Sequence, residues 1–223
     1  MQEIKMDRMV RSGRRTFSLE ITPEARLVVR VPARASQELI KKFLWKNRFW
    51  IQSKQAMVQA RRREVAPKKF VSGEEFLYLG RLYPLDLVEE DLPLSLEGHF
   101  RLSRKWEGDA KEIFMDWYKK QAHEVIMKRV EGYASRTGLR YQGLKISDAK
   151  KRWGSCSSKG RLRFNWRLVM APLEVLDYVV AHELVHLEEL NHTKRFWDKV
   201  QALAPDYKKH SAWLDQNHHR LDL

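Results

Sequence analysis

Two histidines four residues apart, His182 and His186, with Glu183 between them, constrain this chain more than any other feature. On a helix, positions i and i+4 lie one turn apart on one face, so both imidazoles can reach a single ion. Glu183 is offset by one residue from the first ligand. It can stand beside an ion without binding it and accept a proton. Zinc favours nitrogen ligands in tetrahedral geometry, and a catalytic site leaves one position open to water. The ion lowers the pKa of that water, and the carboxylate takes the proton as it attacks. The pattern therefore points to a zinc hydrolase.

An HExxH pentapeptide arises by chance in roughly 2% of chains of this composition. His192, six residues after His186, lowers that chance to about 0.1%. Asn191 is expected to adopt a left-handed conformation, ending the helix and returning the chain towards the metal.

A length of 223 residues allows one compact domain or two small ones. With 43% hydrophobic residues and 8 Trp the chain can bury a real core, which excludes disorder as its main state. No stretch is long and apolar enough to span a membrane. The opening MQEIKMDRMVRSGRR has no apolar core and is not expected to act as a secretory signal. A single cysteine, Cys156, permits no internal disulfide and suits a reducing, cytoplasmic setting.

The net charge of +14 is uneven: residues 1–172 hold 37 basic and 20 acidic groups, and residues 173–223 hold 6 and 9. A field of that sign favours anionic partners such as nucleic acid, nucleotides or acidic proteins, or is simply a solvated basic surface.

Thr16, Ser18, Glu20 and Thr22 alternate with Phe17, Leu19 and Ile21, and Leu27 to Val31 follow a turn at Pro23, which predicts a hairpin. Ser36 reads as the N-cap of one long helix to about Arg63. Strands are expected around Phe76–Tyr78, Leu82–Leu87 and Leu92–Leu102, with a turn at Gly80-Arg81. A strong amphipathic helix runs from about Asp109 to Thr137-Gly138. Strands over Tyr141–Asp148 and Arg161–Met170 follow, the second with Leu162, Phe164, Trp166, Leu168 and Met170 on one face. Pro172 opens the helix that carries His182, with Leu173, Leu176, Val179, Val180, Leu187 and Leu190 as its buried stripe. Shorter helices are expected near Lys194–Leu203 and Pro205–Asn217. The expected fold is α+β: a basic β-rich region with one long helix over 1–106, then a zincin-like catalytic domain over 107–223.

Arg152–Pro172 (RWGSCSSKGRLRFNWRLVMAP), His182–His192 (HELVHLEELNH) and Phe196-Trp197 resemble the YgjP-type zinc metallopeptidase family and, more distantly, the SprT-like zinc proteases. RRTFSLEITPEARLVVRVP and YLGRLYPL resemble the YgjP-type N-terminal region, so the likeness covers nearly the whole chain. The resemblance implies a compact zincin core, with His182, His186 and His192 as Zn2+ ligands and Glu183 as general base. Metzincins share the histidine spacing but have Gly where this chain has Glu189. No Met follows Met170 to form their Met-turn, so that assignment is rejected.

Zinc peptidases of this architecture commonly bind the peptide as an added strand at a sheet edge. The Arg161–Met170 strand, or Trp153–Ser158 before it, is the expected edge, which would bring Arg152, Trp153 and Asn165 towards substrate. Trp166 is expected in the core. Cys156 reads as a buried or turn thiol, or else as a further ligand. Arg152, Tyr207 and His210 are candidates to stabilise the oxyanion. Glu188 and Glu189 either orient the ligand histidines or face water. His218-His219 are expected in a solvated tail.

The leading reading is a cytoplasmic metallopeptidase acting on peptides or proteins. An activated water could also cleave nucleotide triphosphates, although no phosphate-cradling glycine loop is present. A third reading is a nucleic-acid-associated protein with a tethered protease role, because Trp45, Phe49 and Trp50 lie among Lys41, Lys42, Lys46, Arg48 and Lys54. The resemblance to the SprT-like group, whose members act on proteins bound to DNA, allows the two roles to be combined.

Overall fold

The computed structural model describes residues 4–22, 24–64 and 67–223. The chain forms two compact units, Met1–Ala66 and Pro67–Leu223.

In the first unit, β3 (Leu27–Pro32) lies between β2 (Ser18–Ile21), antiparallel to it, and β1 (Arg8–Ser12), parallel to it. The β2–β3 pair is the expected hairpin, and Pro23 in its connection lies outside the described residues. β1 was not expected: RMVRS is a polar edge strand with no buried residue. Leu27, Val29 and Val31 face Ile40, Leu44 and Ile51 from α1 (Gln37–Lys46) and α2 (Arg48–Glu64), and among the described residues these six form the core. Ser36 caps α1 as expected, its hydroxyl accepting from the Leu39 N–H at 3.2 Å. The single long helix is instead two. Asn47 breaks it by donating from its side chain to the Phe43 carbonyl (2.8 Å) and from its backbone to Phe43 and Leu44.

The second unit begins with a four-stranded sheet in the order β4 (Glu75–Tyr78), β5 (Arg81–Val88), β7 (Phe100–Ser103), β6 (Ser95–Leu96). The boundary expected at 106/107 falls inside this unit. Phe76 and Phe100 from the sheet pack ring to ring on Phe114 of α3 (Ala110–Thr137), at 4.3 and 5.0 Å. The Tyr118 hydroxyl also donates to the Leu77 carbonyl at 2.6 Å. One core thus spans residues on both sides of 106/107.

The β4–β5 turn is at Leu79-Gly80, both with positive φ (+46° and +77°), the pattern of a type I′ hairpin. Its two N–H groups donate to Val169 (2.8 Å) and Met170 (3.1 Å). A Cβ on Gly80 would stand 2.9 Å from the Pro172 Cα, so the hairpin tip fixes the point where the next helix starts.

α3 ends as expected at Gly138, which is left-handed at φ +73°. A three-stranded sheet follows in the order β8 (Gly143–Ser147), β10 (Arg161–Asn165), β9 (Gly154–Cys156). The strand expected to reach Met170 stops at Asn165. The Asn165 side-chain oxygen accepts from the Arg167 N–H at 3.0 Å and starts a 3-10 helix over Trp166–Met170. Val169 is buried there along with Trp166, Leu168 and Met170, so the apolar alternation did not mark a two-faced strand.

α4 (Leu173–Val185), α5 (Lys194–Leu203) and α6 (Tyr207–Asn217) complete the unit. Asp177 of α4 takes a two-pronged ion pair from Arg129 of α3. Leu176, Val179 and Val180 are buried as expected, whereas Leu190 is exposed because α4 has already ended. Sheets and helices segregate along the chain, so the architecture is α+β. The helix that bears HExxH packs beside a sheet, as the zincin-like reading requires. Among the described residues no helix is long and apolar enough to cross a membrane.

Candidate active site

His182 and Glu183 lie in the last turn of α4, and His186 is its C-cap residue at φ −63°, ψ −13°. The chain then turns tightly, with the N–H groups of Glu188 and Glu189 both donating to the Val185 carbonyl. Asn191 does not supply the left-handed residue. Outside glycine, the described residues with positive φ are Ala25, Phe70 and Leu79. The reversal comes from this run of turns and from Thr193, whose N–H donates to the Asn191 carbonyl (2.8 Å) and whose side chain caps α5.

The result brings His182, His186 and His192 together, one ring nitrogen of each lying within 4.8 Å of the others. The Nε2 atoms of His182 and His192 are 3.1 Å apart. Zn–N bonds of about 2.0–2.1 Å at tetrahedral angles place ligand nitrogens roughly 3.3 Å apart, so the donor set fits that ion. His186 Nδ1 is 3.0 Å from the Glu189 carbonyl. In the neutral tautomer that donates there, Nε2 keeps its lone pair for a metal.

Burial, reinforced by the other two histidines, pushes the His182 pKa down to about 4, and burial likewise lowers that of His186. Both are therefore neutral at pH 7, the ligating form.

Phe196 packs on all three rings, with centroids 4.9 Å from His182 and 4.6 Å from each of the others. Trp197 stacks on His192 at 5.6 Å. In the sequence these two residues are marked only by the family likeness, because their contacts with the histidines depend on the chain reversal that precedes α5.

Glu183 is 5% exposed, and its Oε2 is buried with no hydrogen-bond partner. An orphaned carboxylate oxygen is costly to keep in a fold and is common where chemistry is done. Burial raises its pKa to about 8, opposed by the charge of Arg152. A cation held by the histidines would oppose it further. The carboxylate lies against the backbone of Gly154, where a Cβ would come within 2.6 Å of Oε1. Gly154 therefore leaves the space that Glu183 fills.

A cavity of about 240 Å³ opens here, bordered by Trp153, Gly154, Tyr178, His182, Glu183 and Ser211 among others. Tyr178 was not foreseen, although it stands one turn before His182 on the same helix. Burial raises its pKa, so its phenol stays protonated.

The other expected residues fall variously. Arg152 is exposed and acts on Glu183 through its charge. Asn165 is turned inward: it is 4% exposed and donates to the carbonyls of Ala149 and Arg152, so its side chain ties a loop to the start of the 3-10 helix. Tyr207 stacks between Trp197 (5.2 Å) and Tyr178 (6.4 Å), behind the cavity wall. Neither Tyr207 nor His210 borders the cavity.

It is the backbone carbonyl of Glu189 that meets His186. The Glu188 and Glu189 carboxylates pair with Lys199, and that of Glu189 also with Arg195. Cys156 is half-buried and stands outside the histidine cluster. Trp166 is core, with its indole N–H donating to Asp148 at 3.0 Å. His218 and His219 border a second cavity and are not a free tail. β10 is central in its sheet, which leaves β9 as the sheet edge beside Glu183.

A family model described as YgjP-like, metallopeptidase domain, matches residues 15–217. Among solved structures, the chain is similar to the metallopeptidase zymogen of Pyrococcus abyssi abylysin, at 20% identity and a TM-score of 0.38. That likeness covers 42% of this chain and 95% of the other. No curated protein matches the chain.

Proposed function

The chain belongs to the YgjP-like metallopeptidase family, and from that premise we propose that it is a zinc-dependent peptidase in which His182, His186 and His192 hold the ion and Glu183 is the general base. The observation that carries this reading is the convergence of three histidine nitrogens within 4.8 Å beside one buried carboxylate. A zinc ion bound there supplies Lewis acidity for the scissile carbonyl and lowers the pKa of a coordinated water to about 7.

Glu183 takes the proton from the attacking water through its unpartnered oxygen and returns it to the leaving amine. Its buried setting keeps it basic enough for the first transfer, and Arg152 moderates that effect. The substrate lies extended along the free edge of β9, pairing its backbone with the strand, and Gly154 lets the Glu183 carboxylate stand close against that edge. Tyr178, in the cavity wall and protonated, is the donor that this reading assigns to the developing oxyanion.

Among the described residues no Lys or Arg borders the catalytic cavity itself, and the chain has no phosphate-cradling glycine loop, so the peptide reading is preferred to the nucleotide triphosphate reading.

The test is to assay peptides and nucleotide triphosphates with the wild type and with Glu183→Gln, measuring bound zinc in both. The expected outcome is peptide cleavage that falls by about 10²–10⁴-fold in the variant while zinc is retained. Undiminished turnover in Glu183→Gln, or triphosphate hydrolysis without peptide cleavage, would overturn the reading.

A further inference from the structure

Beside the catalytic cavity lies a larger one, of about 430 Å³, that the mechanism above does not use. The two share Trp153, Leu214 and Asp215 as a common border. Lys150, Lys151 and Arg152 contribute to it from the loop that leads into β9, and Arg167 contributes from the 3-10 helix after β10.

These cations are not equivalent. The Arg167 side chain is 15% exposed and already pairs with Asp148 and Asp222, so its charge is engaged. Lys150 and Lys151 are exposed and form no ion pair among the described residues. Opposite charge in the same lining comes from Asp222, held by Arg167, and from Asp215. The balance at the β9 end of the cavity is therefore positive.

Position gives this charge a meaning. β9 runs from Gly154 to Cys156, with the Lys150–Trp153 loop just before its start. A peptide paired antiparallel to β9 runs the opposite way, so its C-terminal part passes Gly154 and then Trp153 and enters the cationic cavity. Building on the peptidase reading, we propose that this cavity is a subsite for a carboxylate on the C-terminal side of the scissile bond, with Lys150 and Lys151 as the residues that select it. The carboxylate is either an acidic side chain or the C-terminus of the substrate.

The experiment uses the full chain with zinc and matched peptides. One series carries Glu or Gln at successive positions after the cleaved bond, and the other ends in a free acid or an amide. Cleavage is measured as kcat/KM for the wild type, Lys150→Gln/Lys151→Gln and Lys150→Glu/Lys151→Glu. Binding of the same peptides, fluorescently labelled, to Glu183→Gln is read by anisotropy, with and without the lysine changes.

The wild type should prefer the carboxylate peptide by about three- to tenfold at low salt, as expected for two exposed cations. Neutralising the lysines should bring that ratio close to one, and charge reversal should turn it in favour of Lys-bearing peptides. A misfolded variant would not produce such an inversion. The series that carries the preference identifies the source, side chain or C-terminus.

Equal cleavage of neutral and acidic peptides by the wild type overturns the subsite and leaves the peptidase reading standing. A carboxylate preference that survives both lysine variants also overturns it. Lysine-dependent binding to Glu183→Gln, with no peptide cleaved by the wild type, supports the subsite and removes the peptidase reading.

Discussion

The two units of this chain are built to different proportions. Met1–Ala66 holds 16 Lys and Arg against 6 Asp and Glu, a net of +10, and six of its described residues form its buried core. Pro67–Leu223 holds 27 against 23, a net of +4, around a core of 33.

Their aromatic residues are used differently too. In the first unit Phe49 is 68% exposed, and Arg48 stacks over both Trp45 (4.4 Å) and Phe49 (4.3 Å) at the surface. In the second, Phe76, Phe100, Phe114 and Trp166 are buried, and Phe196 binds three histidine rings together.

A constellation of catalytic groups must be held to a fraction of an ångström by packed neighbours. The second unit provides that packing. The first has a smaller core and carries charge and exposed rings at its surface.

The sharpest break between the units should appear on truncating one phenylalanine in each. Phe196→Ala should cost about 3–5 kcal/mol in global stability and weaken zinc binding together with it. Denaturant unfolding and zinc titration would measure both. If the metal affinity held while stability fell, Phe196 would be ordinary core and not the support of the site.

Gly154→Ala should be intermediate. An added Cβ would sit 2.6 Å from the Glu183 carboxylate, so kcat should fall about tenfold to a hundredfold as the base is displaced. Bound zinc should stay at the wild-type level, and loss of the metal would mean a general disturbance of the sheet. Phe49→Ala, at the exposed surface of the first unit, should change stability by less than about 0.5 kcal/mol. It should also leave kcat/KM on a short peptide within about twofold. A large loss of cleavage in that variant would mean that the division of labour between the units is wrong.

What the sequence disclosed follows the same division. The grouping of His182 and His186 was legible because helical spacing alone puts the two imidazoles on one face, and the approach of His192 followed from its offset. The Gly138 stop and the Ser36 cap were legible as local chemistry.

Features that depend on distant neighbours were not. Gly154 looks like a turn glycine until Glu183 is seen to fill the space beside it. Tyr178 looks like helix core, and Asn165 looks exposed in a strand. The carboxylates of Glu188 and Glu189 look like partners for the histidines, whereas it is the Glu189 backbone carbonyl that meets His186. The alternation over Arg161–Met170 misled because the core surrounds the 3-10 helix on more than one side. The unit boundary was misjudged because the aromatic contacts that cross 106/107 are tertiary. β1 was missed because pairing along an exposed edge needs no apolar signal.

The most direct test of the central claim is X-ray absorption at the zinc edge, combined with metal content, on the wild type and on His192→Ala. The account predicts one zinc per chain with three imidazole nitrogens at about 2.0–2.1 Å, and a much reduced zinc content in the variant. A sulfur neighbour at about 2.3 Å, which would bring in Cys156, would contradict it. So would zinc that stays fully bound without His192, or a wild-type chain that takes up no zinc when it is supplied.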